Sequence, residues 1–269
     1  MSKSKLLVGR SSRTPIKHFL LNAIVGKIAG VLSTHKLPCR ANPFYCVDLC
    51  GGDGLETDEH AASPLILHKH CVFVRNKIGK ESILDVLEKR ANTFEQLDRN
   101  TRGLAGRGTW FNIRLEDSSR FVLPQLKSDQ CAFVHCDPNH VHDMPLTDPL
   151  VASWNRYTTY LVTLGCNVSG LKCLPYAQRE GWFQYPEMLV RALPRHHDAI
   201  LFWLNRDAAQ WAYLLSLPLK WSDEFKTWAC NKAGKQWSKG VFARSYRREP
   251  LEFHDQIRKL FLTKEEYDA

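Results

Sequence analysis

The sequence lacks an apolar run long enough to cross a membrane. The nearest candidate, residues 19–32, falls short of the ~18 apolar residues that a membrane span requires, and it contains Lys27. The nine cysteines include no Cys-x-x-Cys pair, and their odd number and scattered spacing argue against a disulfide framework. We therefore expect reduced thiols, a cytoplasmic location and no membrane partner.

Acidic side chains are absent from the first part of the chain. Residues 1–47 contain eight lysines and arginines and no aspartate or glutamate, and residues 220–248 contain eight basic and two acidic side chains. The formal net charge of the 269 residues is +9. Two basic regions around a nearly neutral centre suit a polyanionic partner, because each neutralised phosphate releases a condensed counterion. The acid-free start is also typical of an organellar transit peptide, which remains an alternative to a basic arm.

The rest of the composition is that of a globular protein. Apolar residues make up 44% and charged residues 24% of the chain, which excludes a disordered, collagen-like or coiled-coil protein. Predicted strands alternate with predicted helices, and this favours an α/β fold whose parallel strands are covered on both faces. We predict a basic arm and helix over 1–43, followed over 44–269 by an α/β domain with a mostly parallel sheet. The predicted strands are 44–49, 71–74, 110–115, 131–136, 199–204, 224–230 and 240–246, and the predicted helices are 14–33, 61–69, 80–98, 118–126, 149–164, 185–193 and 207–217.

The clearest motif is a glycine-rich turn after the first predicted strand, Val47-Asp48-Leu49-Cys50-Gly51-Gly52-Asp53-Gly54. Glycines there allow a sharp turn and a close approach of the backbone to a ligand. The spacing is neither a dinucleotide-binding Gly-x-Gly-x-x-Gly nor a phosphate-binding loop ending in Lys-Ser/Thr. Asp48, directly before the turn, suits a ligand with an ammonium group rather than a phosphate. The alternative is a plain tight turn between a strand and a helix.

This turn resembles motif I of the class I S-adenosylmethionine-dependent methyltransferases, in which an acidic strand end and a Gly-x-Gly turn hold the methionine part of the cofactor. The resemblance implies S-adenosylmethionine as the cofactor, bound by Asp48, Gly51, Gly52, Asp53 and Gly54.

The resemblance also implies acidic residues at the ends of the next two strands. The second strand of these enzymes ends in an acid that binds the ribose hydroxyls, whereas the strand predicted at 71–74 is followed by Arg75. Asn76 is then the candidate for the hydroxyls, unless the ligand is bound atypically or not at all. After the third strand, Glu116 and Asp117 match the acidic position that faces the adenine amine, and their alternative role is to cap the following helix.

The fourth predicted strand ends in Asp137-Pro138-Asn139-His140. The proline fixes a turn and leaves Asp137 as an acceptor at the carboxyl edge of the sheet. This is similar to the Asp/Asn-Pro-Pro-aromatic motif of base amino-methyltransferases, which binds the target amine and stacks a ring on the base. Asn139 and His140 stand where that motif has the second proline and the aromatic ring. The resemblance implies that these four residues are catalytic.

The same stretch is rich in histidine and aspartate. A zinc or iron site would need three of these ligands to converge on one face. We expect a polar loop without metal, and a metal-dependent hydrolase stays the alternative. The residues concerned are His135, Asp137, His140, His142 and Asp143.

Residues 220–248 interleave aromatic and basic side chains. Rings that stack on bases and cations that bind phosphates are the means by which proteins bind single-stranded nucleic acid. The alternative is a solvated hairpin whose aromatic side chains face the core. The candidate nucleic-acid-binding residues are Lys226, Lys232, Lys235, Trp237, Lys239, Arg244, Arg247 and Arg248.

Four motifs together resemble the three-Cys-motif partner proteins, a methyltransferase-like family. Over residues 15–140, the resemblance implies a Rossmann-like methyltransferase fold, with a mostly parallel sheet that has an antiparallel edge strand and with an N-terminal helical extension. It also implies a prokaryotic, phage or mobile-element setting. The motifs are Lys17-His18 before a helix, the segment from Tyr45 to Gly54, Ala62-Ser63-Pro64, and Asp137-Pro138-Asn139-His140.

We therefore predict a methyltransferase that transfers a methyl group from S-adenosylmethionine to a base of DNA or RNA. The alternative is a catalytically inactive protein of the same fold that binds nucleic acid or a protein partner.

Overall fold

The computed structural model describes eleven segments of the chain, residues 14–34, 43–55, 61–79, 81–104, 109–122, 124–127, 130–137, 158–165, 197–204, 211–235 and 241–245. The chain divides into two compact units, one formed by Met1–Phe121 and Asp129–Ala132, the other by Val122–Ser128 and Phe133–Ala269. Within the described segments, no helix has the length and apolarity that crossing a membrane would require.

The first unit alternates helices with parallel strands. Its strands lie in the order β3-β2-β1, and the register pairs Asp48 with Val86 and Glu88 with Leu115. The carboxyl ends of the three strands are therefore neighbours at one edge. The elements are α1 (Thr14–Thr34), β1 (Phe44–Asp48), α2 (Ser63–Ile78), β2 (Ser82–Glu88), α3 (Ala91–Thr101) and β3 (Thr109–Leu115), followed by a 3₁₀ turn at Ser118–Arg120.

Helix α1 packs on helix α2 and has buried apolar side chains. Its buried Leu21, Ile24 and Ile28 recur at helical spacing. His70 Nε2 of α2 lies 2.9 Å from Asn22 Oδ1 of α1. Burial, and then the charge of Lys69, lower the pKa of His70 to about 4. The helix predicted at 14–33 is thus confirmed, and it precedes the first strand as the predicted N-terminal extension.

In the second unit the strand order is β4-β5-β7-β6-β8. Strand β7 is antiparallel to β5 and to β6, and the edge strand β8 is antiparallel to β6. The elements are β4 (Ala132–Cys136, which begins at the boundary with the first unit), β5 (Thr158–Gly165), β6 (His197–Leu204), β7 (Trp211–Pro218), α4 (Leu219–Lys235) and β8 (Val241–Ser245). The α/β, Rossmann-like fold class with an antiparallel edge strand is confirmed.

The strand predicted at 71–74 is wrong. These residues continue α2, in which Leu67, Cys71 and Val74 are all buried on one face. The β-branched and aromatic side chains of this stretch favour a strand locally, but the packing of one helical face decides the conformation. Helix α2 ends at Ile78 and is capped by Gly79, whose φ of 68° lies in the left-handed region that favours glycine.

The helix predicted at 80–98 is wrong over its first half. Residues 82–88 form β2, and the helix α3 begins at Ala91. Strand β2 is buried along almost its whole length, as is usual for a parallel strand covered on both faces. Such a strand lacks the polar–apolar alternation that would have distinguished it from a helix in the sequence.

Predictions near the end of the chain also need correction. The helix predicted at 207–217 is strand β7 from residue 211 onward, and residues 207–210 lie outside the described residues. The strand predicted at 224–230 lies within α4, where Trp221, Phe225 and Ala229 are buried at a spacing of four. The helix predicted at 149–164 is strand β5 from residue 158 onward, and that at 118–126 is reduced to the 3₁₀ turn. The helix predicted at 185–193 lies outside the described residues.

Candidate functional site

Strand β1 ends in a fully buried carboxylate, followed by a turn with left-handed glycines. Asp48 is 0% exposed, and its Oδ1 accepts a hydrogen bond from the amide of Cys50 at 3.4 Å. Gly52 and Gly54 have φ values of 59° and 82°, which side chains other than glycine rarely adopt. The turn predicted as a ligand cradle therefore exists, with an acid at its start.

The first glycine of the turn is required by space. The amide of Gly51 donates to the carbonyl of Leu87 at 2.9 Å. A Cβ on Gly51 would lie 2.3 Å from Cγ1 of Val86, closer than atoms can pack. Only glycine lets the turn sit this close to the end of β2.

Helix α3 holds the second half of the turn. Asn100 Nδ2 donates to the carbonyl of Asp53 at 2.7 Å, and the Oδ1 of Asp53 accepts from the amide of Leu55 at 3.3 Å. Beside Gly52 the space is open, because a Cβ there would have no heavy atom within 4 Å. The turn is thus fixed from the β2 and α3 sides and open at Gly52.

Strand β2 ends in Glu88, which the sequence reasoning missed. Its side chain is 6% exposed, and its Oε1 accepts hydrogen bonds from the backbone amide of Arg90 at 2.9 Å and from Arg90 Nε at 3.1 Å. The signal was present, since Glu88 directly follows the run Ile83-Leu84-Asp85-Val86-Leu87, in which Asp85 is the one polar residue. It was overlooked because that run was assigned to a helix.

Strand β3 is followed by Glu116 and Asp117, as predicted. The amide of Glu116 donates to the carbonyl of Glu88 at 3.2 Å, which joins the ends of β2 and β3. The carbonyl of Asp117 accepts from the amide of Arg120 at 3.0 Å and closes the 3₁₀ turn. The structure therefore brings acidic residues to the carboxyl ends of three neighbouring parallel strands, at Asp48, Glu88 and Glu116–Asp117.

Asn76 does not belong to this group. It lies in the last turn of α2, where the amide of Gly79 donates to the carbonyl of Arg75 at 2.7 Å. The prediction that Asn76 binds a ribose assumed that β2 ended beside it, and this assumption is wrong. Arg75 likewise does not occupy the end of the second strand.

A second polar group lies in the middle of the same strands. Asp85 of β2 is 1% exposed and accepts hydrogen bonds from Tyr45 Oη, from Asn112 Nδ2 at 2.8 Å and from Arg114 Nη2 at 2.7 Å. Burial, and then the hydrogen bond to Asp85, raise the pKa of Tyr45 well above its ordinary value. Because its partners come from β1 and β3, Asp85 ties the three strands together.

Asp137 directly follows β4 and is half-buried. Pro138, Asn139 and His140 lie outside the described residues, as do His142 and Asp143 of the predicted polar loop. His135 is buried within β4. In the described part of the chain, no three His, Cys, Asp or Glu side chains are grouped to hold a metal ion.

The basic, aromatic segment 220–248 contains helix α4 and strand β8. Trp221 and Phe225 are 1% and 0% exposed, so these rings belong to the core and do not stack on bases. Lys226 Nζ lies 3.2 Å from Oδ2 of the fully buried Asp198, so this candidate cation already has a carboxylate partner within the protein. Lys232 and Lys235 lie in α4 and Arg244 in β8, while Trp237, Lys239, Arg247 and Arg248 lie outside the described residues.

Comparison with known proteins finds structural likeness only. No profile of a known protein family matches the chain, and no curated protein sequence matches it. An rRNA methylase from Streptococcus thermophilus is 11% identical, over 73% of this chain and 95% of the other, with a TM-score of 0.42. The O-methyltransferase TomG from Streptomyces achromogenes, solved with SAM, is 12% identical over 80% and 93% of the two chains, with a TM-score of 0.45. SMU.1697c, a putative methyltransferase from Streptococcus mutans solved with SAH, is 9% identical over 72% and 97%, with a TM-score of 0.42.

Such identities and TM-scores assign neither a family nor an activity to this chain. The three-Cys-motif partner family stays a resemblance of short motifs.

Proposed function

We propose that the protein is an S-adenosylmethionine-dependent methyltransferase whose cofactor is held at the carboxyl ends of β1, β2 and β3. The observation that carries the proposal is Glu88, a buried acid at the end of β2, beside the glycine turn and backbone-bonded to Glu116. Arg75, which the sequence alone placed at the end of the second strand, lies in α2 instead, and an acid occupies the end of β2.

The chemistry of the residues fits the three parts of this cofactor. Asp48 carries the negative charge that an ammonium group requires, and the open side of Gly52 allows a ligand to approach the backbone. Glu88 accepts hydrogen bonds from ribose hydroxyls, and Glu116 or Asp117 accepts them from the adenine amine. Gly51 and Gly54 keep the turn against β2 and α3. When bound, the cofactor supplies a methyl group that is already activated by a positive sulfur.

The protein's part in the reaction is then mostly to bind and to orient. A nucleophile held in line with an activated methyl group needs little acid–base assistance, because correct orientation alone lowers the barrier. We assign the orientation of an acceptor amine to Asp137 at the end of β4, with Pro138, Asn139 and His140 in support, on the sequence motif.

We further propose a nucleic acid base as the acceptor. The net charge of +9 supports it, as does the absence of acidic residues from helices α1 and α2. A base within a duplex would have to be flipped out of the stack to reach the methyl group. Of the basic segment, the candidates that remain for phosphate contact are Lys232, Lys235, Lys239, Arg244, Arg247 and Arg248, with Trp237 for stacking.

Cofactor binding is tested by titrating the full chain calorimetrically with S-adenosylmethionine and S-adenosylhomocysteine. Gly52→Val fills the open side of the turn and should abolish binding. Gly79→Val is the matched control, because Gly79 has a similar φ of 68° and equally open space but caps α2. Binding that survives in Gly52→Val, or none to the wild-type chain, contradicts the proposal.

The acid at β2 is tested in the same assay. Glu88→Gln keeps the shape but loses the charge, and we expect binding about 10-fold weaker or more, since hydrogen bonds to a charged group contribute ~1.5–3 kcal/mol. Glu95→Gln, an exposed position on α3, is the control.

Transfer is tested with labelled methyl groups on RNA and DNA. Asp137→Ala should lose transfer while binding the cofactor as the wild type does. Cofactor binding without transfer to any acceptor would instead favour the catalytically inactive nucleic-acid- or protein-binding alternative.

A further inference from the structure

The Glu88 carboxylate is held by a single neighbouring residue. Within the described part of the chain, two hydrogen bonds reach this side chain, one from the backbone amide of Arg90 and one from its Nε, and both end on the same oxygen, Oε1. A carboxylate that accepts a backbone amide and a guanidinium N–H on one oxygen cannot rotate without losing both bonds. The side-chain torsions of Glu88 are therefore restricted.

The position of Arg90 in the fold strengthens this restraint. Arg90 is the N-cap residue of α3, a helix of 11 residues, and its φ and ψ of −96° and 118° are extended. The first amides of a helix carry a partial positive charge that favours a nearby carboxylate. Arg90 itself is half-exposed at 47%, whereas Glu88 is buried at 6%. The arginine thus covers the carboxylate from the solvent side.

Resting on the proposed function, we infer that Arg90 is a positioning residue that orients Glu88 to bind the vicinal hydroxyls of a ribose. With Oε1 engaged by Arg90, Oε2 is the oxygen left to accept hydrogen bonds from the ligand. A vicinal diol needs an acceptor in one fixed orientation, so this arrangement selects ribonucleosides over nucleosides that lack the hydroxyls. Arg90 acts through Glu88 and is not itself placed at the reacting atoms.

The experiment compares two ligands on the full chain. Calorimetric titration of the wild type, Arg90→Ala and Arg90→Lys uses S-adenosylhomocysteine and its 2′,3′-dideoxy analogue. We expect Arg90→Ala to bind S-adenosylhomocysteine about 5- to 10-fold more weakly, a smaller loss than for Glu88→Gln because the backbone amide of residue 90 still donates to Oε1. The dideoxy analogue should bind within about 2-fold of the wild type. Arg90→Lys should behave like Arg90→Ala, because lysine keeps the charge but lacks the fixed Nε donor.

A double variant tests whether Arg90 works through Glu88. If it does, Arg90→Ala adds at most about 2-fold to the loss already caused by Glu88→Gln, because coupled residues are not additive. The control is Arg102→Ala at the C-cap of the same helix, since Arg102 is exposed and pairs only at the surface with Asp98 in the described structure. Arg102→Ala should leave both affinities unchanged.

The outcomes separate this inference from the proposed function. Equal losses for both ligands, no loss in Arg90→Ala, or fully additive losses in the double variant overturn the positioning role while cofactor binding stands. A wild-type chain that binds neither ligand overturns the proposed function, and the positioning role falls with it.

Discussion

Substitution of Gly51 by alanine tests the close approach of the turn to β2. A Cβ would lie 2.3 Å from Val86 Cγ1, so one of the two must move by roughly 1 Å to reach ordinary contact. Val86 is 0% exposed and has little room to move. Overpacking of this kind costs about 1–3 kcal/mol, and the lower chain entropy of alanine in the unfolded state offsets about 0.4–1 kcal/mol. We expect Gly51→Ala to lower the free energy of unfolding by about 1–2 kcal/mol.

The assay is urea unfolding followed by far-ultraviolet circular dichroism, for Gly51→Ala, Val86→Ala and the double variant. Removing Cγ1 of Val86 makes room for the new methyl group, so the double variant should lose at least about 1 kcal/mol less than the sum of the single losses. Gly30→Ala in α1 is the control, since a Cβ there meets nothing within 4 Å and alanine favours a helix by about 1 kcal/mol. Strictly additive losses, or a Gly51→Ala variant as stable as the wild type, would refute the steric reasoning.

Three further predictions concern contacts outside the glycine turn. Burial lowers the pKa of His70 to about 4, below its ordinary 6.5, so the neutral ring contributes stability above pH 6.5 that is lost as the pH falls towards 4. The midpoint of urea unfolding should therefore fall as the pH is lowered across this range. His70→Gln should make the midpoint less dependent on pH. Asn100→Ala should cost about 0.5–1.5 kcal/mol in urea unfolding, because the carbonyl of Asp53 loses its 2.7 Å donor, and it should weaken cofactor binding in calorimetry. Lys226→Met leaves the buried Asp198 without this cation and should lower the free energy of unfolding by about 1–3 kcal/mol. The salt dependence of RNA binding should stay as in the wild type, whereas a flatter dependence would show that Lys226 contacts a phosphate.

The sequence was informative where the acid and the turn are adjacent in the chain. Asp48 and the glycines that follow it predict a strand end and a tight turn within seven residues, and the structure has both. Glu116 and Asp117 could be found for the same reason, since a clear strand precedes them. Local chemistry sufficed at these positions.

Glu88 and Lys226 could not be found in this way. Assignment of Glu88 to a strand end depends on β2 being covered on both faces, which is a property of the packed sheet and not of the heptapeptide. The sequence around Lys226 predicts a surface cation, because its partner Asp198 lies 28 positions earlier in the chain and only the fold brings the two together. Both failures come from long-range contacts, which override local propensity.

The shared edge of β1, β2 and β3 also fixes a length. Neighbouring strands lie about 4.8 Å apart, so the ends that carry Asp48, Glu88 and Glu116 spread over about 10 Å across the strands, and the register sets Asp48 opposite Val86, two residues before Glu88. The backbone bond between Glu88 and Glu116 holds part of this arrangement constant. A ligand that reaches all three must be extended to match, whereas a free nucleoside or a free amino acid reaches only part of the row. Hydrogen bonds between the strands therefore set the distance between these contacts. A substitution at one strand end alters one contact, but the distance between the contacts stays the same.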